Sequence, residues 1–457
     1  MPDSRATETR SDSKAETKSS TKSSGWAIAV RALQHRNFRL FFGGQGISLI
    51  GTWMTSVATS WLVYRLTKSA MLLGVVGFAG QIPVFLFGSF AGVWVDRWNR
   101  RRLLVVTQAL SMLQSLALAV LALTGVIKFW EIFALSLFQG AVNTFDIPGR
   151  QTFMVEMVES RADLSNAIAL NSSMFNGARL IGPTLAGIVI AASSEGYCFL
   201  IDGISYIAVI VSLLMMNVSP SPRRSESGHV LTELKEGWSY VSGLVPIRSI
   251  LVLLTLVSLV GIPYNVLMPI FAGSILHGGA HTFGFLMAAT GTGALAGALV
   301  LARRESVLGL GRIIAISAGL FGAALVCFSL SRWLWLSLPL MVVAGFGLMQ
   351  QMAGSNTILQ TIVKEDMRGR AMSFYSMSVV GVTPFGSLIA GAMASRFGAP
   401  RTLMAGGALC VLGALWFARQ LPRIRAAIRP IYAELGIIPE VAAGLQAATS
   451  LQTPPET

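Results

Sequence analysis

A series of apolar runs, each about 20 residues long and separated by short charged segments, constrains this chain more than any other feature. At 1.5 Å per residue, a helix of that length spans a hydrocarbon core about 30 Å thick. Inside lipid, every backbone N–H and C=O must be paired within the protein, which leaves helices or a closed barrel. A barrel would show alternating segments of about ten residues, and the chain has none. The reading is an all-α membrane protein of twelve transmembrane helices. The expected spans are 38–64, 72–95, 103–126, 129–149, 167–193, 198–217, 249–275, 282–302, 311–330, 333–357, 370–395 and 402–420. Only Lys128 separates the third run from the fourth, and only Arg332 the ninth from the tenth. The charged fraction is 12%, about half that of a soluble chain.

A net charge of +14 would suit a nucleic-acid binder, but its distribution indicates an orientation in the membrane. Of the 35 Lys and Arg, 28 fall in the two termini and the loops on the same side as them. The opposite loops hold six (Arg65, Lys68, Lys128, Arg332, Arg396 and Arg401), and Arg179 lies inside the fifth run. Positive residues stay on the cytoplasmic side, so both termini are expected in the cytoplasm of a bacterial inner membrane. The basic balance then requires no nucleic acid. Cys198, Cys327 and Cys410 all lie in apolar runs and read as small core residues, without disulfide or metal spacing. His277 and His281 share a Gly-rich loop that offers no third ligand.

The expected organisation is a disordered cytoplasmic tail (1–37), a six-helix bundle (38–217), a cytoplasmic loop (218–248), a second six-helix bundle (249–420) and a cytoplasmic tail (421–457). The first tail is polar, with no signal-peptide core. Within the loop, Leu231, Leu234, Trp238 and Val241 recur at helical spacing, which predicts a short amphipathic helix on the membrane surface. The two bundles read as repeats of one unit. Asn166 to Gly187 aligns without gaps on Arg370 to Gly391, placing Gly182 on Gly386 and Gly187 on Gly391. Just upstream, Gly140 and Gly149 fall on Gly345 and Gly354.

The sharpest local motif is the loop after the second run: Gly92-Val-Trp-Val-Asp96-Arg97-Trp-Asn-Arg100-Arg101-Arg102. It resembles the loop signature of the major facilitator superfamily, Gly-x-x-x-Asp-Arg-x-Gly-Arg-Arg/Lys. Gly92 would allow close helix packing, Asp96 would face a helix N-terminus, and Arg97, Arg100 and Arg101 would pair with carboxylates. Together with Asp146, these residues form an expected cytoplasmic gate that latches one state and releases as the bundles rock. Asn99 stands where the signature has Gly, a substitution compatible with a left-handed turn.

The fifth run carries Arg179-Leu-Ile-Gly182-Pro183-Thr-Leu-Ala-Gly187, which resembles the Gly-Pro-x-x-x-Gly element of exporters in that superfamily. Gly182, Pro183 and Gly187 are its expected hinge. The run Asp146-Ile-Pro-Gly-Arg150-Gln and the segment from Asn166 narrow the resemblance. They are similar to the bacterial efflux permeases that include the enterobactin exporter and macrolide efflux proteins. The helix-4 Arg frequent in the superfamily is Ser136 here, so its proton-coupling role does not carry over.

An arginine at the depth of Arg179 is costly in lipid and marks a functional site. Helix 1 presents Gln45, Ser48, Thr52, Thr55 and Thr59 on one face, and helix 4 presents Ser136, Gln139, Asn143 and Asp146. Such stripes either line a water-filled cavity or bond a neighbouring helix. The expected cavity residues are Gln45, Thr52, Gln139, Asn143, Arg179, Tyr264 and Asn265, and the proton-coupling candidates are Asp146 and Asp202. The chain has no Gly-x-x-x-x-Gly-Lys-Ser/Thr loop, no His-Glu-x-x-His and no nucleophile elbow. The expected protein is therefore a monomeric secondary transporter rather than an enzyme, with no cofactor or metal. It would export an amphipathic drug or siderophore-like molecule in exchange for protons. An importer, a lipid flippase and a transporter-like receptor or scaffold remain alternatives.

Overall fold

A computed structural model of the chain describes residues 31–158, 161–217, 230–304, 306–435 and 437. The first 30 residues, the loop 218–229 and most of the final tail, on which sequence expectations were placed, lie outside the described residues. A 3-10 turn at Arg31–Gln34 leads into α1 (Arg36–Thr67), α2 (Ala70–Ala79), α3 (Ile82–Arg97), α4 (Arg100–Leu123), α5 (Phe129–Met157), α6 (Arg161–Ala192) and α7 (Glu195–Met215). The second half holds α8 (Val230–Gly243), α9 (Val245–Leu256), α10 (Tyr264–Ile270), α11 (Ala280–Ala302), α12 (Leu310–Leu330), α13 (Leu334–Ile362), α14 (Arg368–Ser376), α15 (Thr383–Phe397) and α16 (Ala399–Glu434). Among the described residues there is no strand.

Among the described residues, eleven helical segments are long and apolar enough to cross a membrane. The expected count was twelve, and the remaining long helix is α5. It has the length but carries Gln139, Asn143, Asp146 and Arg150 along it, which lowers its apolarity. The second expected span is broken between α2 and α3, where Pro83 opens the new helix. The seventh is interrupted by π-helical turns at Val257–Gly261 and Phe271–Ile275, around Pro263 and Pro269. A third π-turn, Met377–Gly381, precedes Pro384 in the eleventh.

In the first half, α1 packs on α6 and α7, α4 on α5 and α7, and α3 on α5. In the second half, α11 packs on α13, and α12 on α13 and α16. The halves meet where α6 crosses α11 and where α2 crosses α15. Glycines set both crossings. A Cβ on Gly284 would stand 2.5 Å from the Pro183 carbonyl oxygen and 2.9 Å from Gly187 Cα, and one on Gly74 would stand 2.6 Å from the Ser387 oxygen and 3.0 Å from Gly391 Cα. Backbones approach this closely only where side chains are absent.

These crossings also explain the sequence repeat. Gly187 and Gly391, aligned by that repeat, occupy equivalent crossings with the opposite half. Gly182 abuts the Ile50 oxygen and the Trp53 Cβ of α1, while Gly386 abuts the Leu259 oxygen and Pro263. Gly140 lies against Gly80, and Gly345 against Thr290. The two halves are pseudo-symmetric, and the glycines of the repeat are the points where equivalent helices touch.

Candidate functional site: a polar cavity between the two halves

A cavity of about 440 Å³ opens between the halves, on the side of the glycine crossings nearer the chain's terminal segments. Its far end is closed. There α6 meets α11, α2 meets α15, and the Tyr64 hydroxyl is 2.5 Å from Ser274 Oγ.

Helix α1 contributes Thr52, Thr55, Ser56, Thr59 and Ser60 to the wall, a continuous face at helical spacing. Helix α5 contributes Ser136, Gln139 and Asn143, and α6 contributes Arg179. The Gln139 amide donates to Ser111 Oγ (3.0 Å) and to Asn143 Oδ1 (3.1 Å), which holds the α5 stripe in register with α4. From the second half come Pro263, Asn265, Val266, Phe283, Met287, Thr383 and Ser387. Both charged wall residues, Arg179 and Asp202, belong to the first half. The second half adds mainly apolar surface.

The Arg179 guanidinium sits 5.8 Å from the centre of the Trp53 ring, and among the described residues it forms no ion pair. A cation over an aromatic face is held in place while its donors stay available. Asp202 is 2% exposed. Its Oδ2 accepts from Thr55 Oγ1 (2.8 Å) and Ser115 Oγ (2.9 Å), while its Oδ1 has no partner. Two hydroxyls thus fix the carboxyl in orientation and leave the other oxygen buried without a partner, against Gly51 of α1.

Four expected cavity residues that line the wall, Thr52, Gln139, Asn143 and Arg179, come from the first half and a fifth, Asn265, from the second. Gln45 and Tyr264 do not. Gln45 and Ser48 are 3% and 1% exposed, because the first turns of the α1 stripe pack against other helices before the cavity begins. Tyr264 is 1% exposed and packs edge-on against Phe321. Its hydroxyl has Arg179, Thr290 and Asn265 around it but no hydrogen bond in range.

Asp146 and Asp202 separate into two environments. Asp146 accepts from Thr107 Oγ1 (2.8 Å) and Gln108 Nε2 (2.7 Å) and pairs with Arg150 one turn further along α5. It is fully engaged, whereas Asp202 is not. Neither pairs with Arg179.

Among the described residues, the expected gate arginines Arg100 and Arg101 bond to helices of their own half. Arg100 pairs with Glu156, and Arg101 donates to the carbonyls of Leu213 (2.7 Å) and Leu214 (2.5 Å). These bonds tie α4 to the ends of α5 and α7 within one half. Arg97 is exposed, and the Asp96 side chain lies outside the described residues. Two details of the loop differ from expectation. A Cβ on Gly92 would meet nothing within 4 Å, so the glycine makes no close helix packing here. Asn99 has φ −70°, not a left-handed turn, and its side chain caps α4 by accepting from Arg102 N (3.0 Å). Of the hinge residues, Gly182 and Gly187 form the crossings described above, and α6 runs unbroken through Pro183.

Trp53, Gln81, Gln114 and Tyr206 also line the cavity and escaped the sequence reading. Gln81 and Gln114 stand as isolated amides within apolar runs, which was the available signal. Trp53 and Tyr206 gave none, since aromatics are common throughout such helices.

Two halves of long helices meeting around a polar cavity are the architecture of a membrane transporter. Residues 24–436 match the family model described as transmembrane secretion effector, and the chain belongs to that family of the major facilitator superfamily. It is 26% identical to the staphyloferrin A transporter of Staphylococcus aureus, over 85% of this chain and 97% of that one. It is 26% identical to the multidrug efflux pump Tap of Mycolicibacterium fortuitum, over 82% and 93% of the two chains. The enterobactin exporter EntS of Shigella boydii is 24% identical, over 85% and 93%. Among solved structures, a bacterial homologue of the lysosomal transporter Spinster, in an inward-facing and unoccupied conformation, superposes with a TM-score of 0.66. It is 13% identical, and the match covers 85% of this chain and 96% of that one. This likeness establishes the fold.

Proposed function

We propose that this chain exports an amphipathic small molecule, of the drug or siderophore-like kind, across the bacterial inner membrane in exchange for protons. The observation that carries the proposal is the two-sided cavity: Arg179 and hydrogen-bonding groups on one wall, Phe283, Met287, Val266 and Pro263 on the other. A molecule with a polar or anionic part and an apolar body satisfies both walls, and leaving either bare costs binding energy. The chain's relatives include a siderophore transporter and a drug efflux pump, which supports the substrate class.

In this reading α5 is the twelfth span, paired with its neighbours through its polar face. The excess of Lys and Arg places both termini in the cytoplasm. The cavity then faces the cytoplasm and the glycine crossings close the outer side, so substrate enters from within. Asp202 is the proton carrier. It lines the cavity, one of its oxygens is buried without a partner, and no cation pairs with it among the described residues. Asp146, held by Thr107, Gln108 and Arg150, serves the cytoplasmic gate with the Asp96 loop, which latches when the halves close on that side.

The test uses inverted membrane vesicles energised by a pH gradient, with either a catecholate chelator or a macrolide supplied in the medium. Accumulation of one of these, with Asp202→Asn abolishing the gradient-driven part while sparing downhill exchange, is the expected result. If neither probe accumulates, the substrate class is wrong. If D202N still responds to the gradient, the proton belongs to another residue. Uptake seen only in right-side-out vesicles would make the chain an importer.

A further inference from the structure

A second cavity, of about 330 Å³, lies away from the central one, at the end of the second half that carries the chain's terminal segments. Its walls come from Ile250 in α9, residues 307–309 and the first turn of α12 after them, α13 and the extended end of α16. The floor is apolar, formed by Ile250, Ile358, Phe417, Leu421, Ile424 and Ile428. Three arginines, Arg312, Arg425 and Arg429, stand at the opening, and among the described residues no acidic residue lines it.

All three arginines are exposed, and none forms a salt bridge among the described residues. Arg425 and Arg429 lie one helical turn apart on α16, so their guanidinium groups share a face. Arg312 reaches the same opening from the first turn of α12, where the positive end of that helix dipole adds to the field. Ile424 and Ile428, on the adjoining face of α16, are 2% and 6% exposed and turn into the floor. An apolar slot thus opens beneath a cationic rim, where an apolar span gives way to charged sequence.

We infer that this groove is a binding site for an anionic phospholipid, with the headgroup phosphate among Arg312, Arg425 and Arg429 and an acyl chain along the apolar floor. Arginines present fork-shaped donors suited to phosphate oxygens. Basic pockets between membrane helices on the cytoplasmic side take anionic headgroups. A free phosphate would use the rim and leave the floor empty, whereas a zwitterionic lipid would fill the floor and leave the three charges uncompensated. The site is distinct from the transport cavity, and its occupancy would hold α9, α12 and α16 together as the halves move.

The test is native mass spectrometry of the full chain with added phosphatidylglycerol or phosphatidylcholine. One phosphatidylglycerol should remain bound preferentially, and excess inorganic phosphate should not displace it. The triple variant Arg312→Gln, Arg425→Gln, Arg429→Gln should bind on the order of 100-fold more weakly. The triple Arg→Lys variant, which keeps the charge, should recover part of that loss and shows that the altered chain still folds. Equal retention of the two lipids, displacement by inorganic phosphate, or undiminished binding by the Gln variant would each overturn the assignment. So would binding that emerges only once residues 438–457 are removed, since the chain's own tail would then be the occupant.

Discussion

Gly284→Ala should shift the protein away from the conformation described here. The added methyl would stand 2.5 Å from the Pro183 oxygen and 2.9 Å from Gly187 Cα. Both neighbours are helix backbone, so neither can rotate aside, and α6 and α11 must part by roughly 1 Å to restore ordinary contact. Overpacking of this kind costs about 1–3 kcal/mol. The penalty falls on the state in which this crossing is closed and vanishes where the helices have separated. A difference of that size displaces a two-state equilibrium by about 5- to 150-fold. Spin labels at Ser193→Cys and Arg396→Cys, on opposite halves at the far end, would report the change as distance distributions in a background without the native cysteines. A longer-distance population should grow in G284A. Gly177→Ala is the control on the same helix, because its Cβ would meet nothing within 4 Å. Distance distributions and transport rates in G284A that match those of G177A would refute the argument that this crossing gates the far end.

Tyr64→Phe removes the hydroxyl that meets Ser274 and should shift the same labels in the same direction, by about five-fold for a bond worth about 1 kcal/mol. An unchanged distribution would mean that this contact follows closure rather than supporting it. Asp146→Ala strands Thr107, Gln108 and Arg150 and should lower stability by about 3 kcal/mol. Thermal unfolding in detergent would read this as a lower midpoint, and an unaltered midpoint would show the network to be dispensable. Arg179→Ala should raise the half-saturation concentration of an anionic substrate about ten-fold, the equivalent of one charge-assisted bond. A neutral amphiphile should be little affected, and equal losses for both would point to a structural role for this arginine.

The apolar spans were legible because lipid demands them, whereas the π-turns around Pro263 and Pro269 appear only in the structure. Helix ends were less legible. The last helix was expected to stop at 420, yet α16 continues to Glu434, past Arg419, Pro422, Arg423 and Arg425. Ile424, Ile428 and Tyr432, four residues apart, carry a buried face onward past the charges. The amphipathic helix was expected over 231–241 and spans Val230–Gly243, but it docks on the chain itself as well as presenting Trp238 outward. Glu236 bonds Arg370 (2.6 Å), and Trp238 lies 5.8 Å from Phe374. Helical spacing reveals that such a face exists but not what covers it.

In the candidate site, periodicity located the polar stripes but not where along each stripe the cavity starts. That is why Gln45 was drawn into the wall while Thr55 and Ser136 lay in the right rows without being singled out. Pairing choices were illegible for a related reason. Asp146 and Asp202 are both carboxylates within helices, and their partners across helices, above all on α4, distinguish them. Helix α4 brings Thr107 and Gln108 to one and Ser115 to the other.

The polarity of α5 bears on how the protein is assembled. A lone segment carrying Asp146, Arg150, Gln139 and Asn143 would partition poorly from the translocon, since ionisable side chains are costly inside a membrane span, up to about 2.5–3.5 kcal/mol for an aspartate at its centre on insertion scales. Its partners emerge from the ribosome just before it: Thr107, Gln108 and Ser111 all belong to α4. The two segments should therefore enter the bilayer as a hairpin, with the Asp146 bonds already formed. On that view Gln108 is a biogenesis residue, and its loss would appear first as shortened half-life during synthesis, before any mature protein could be assayed.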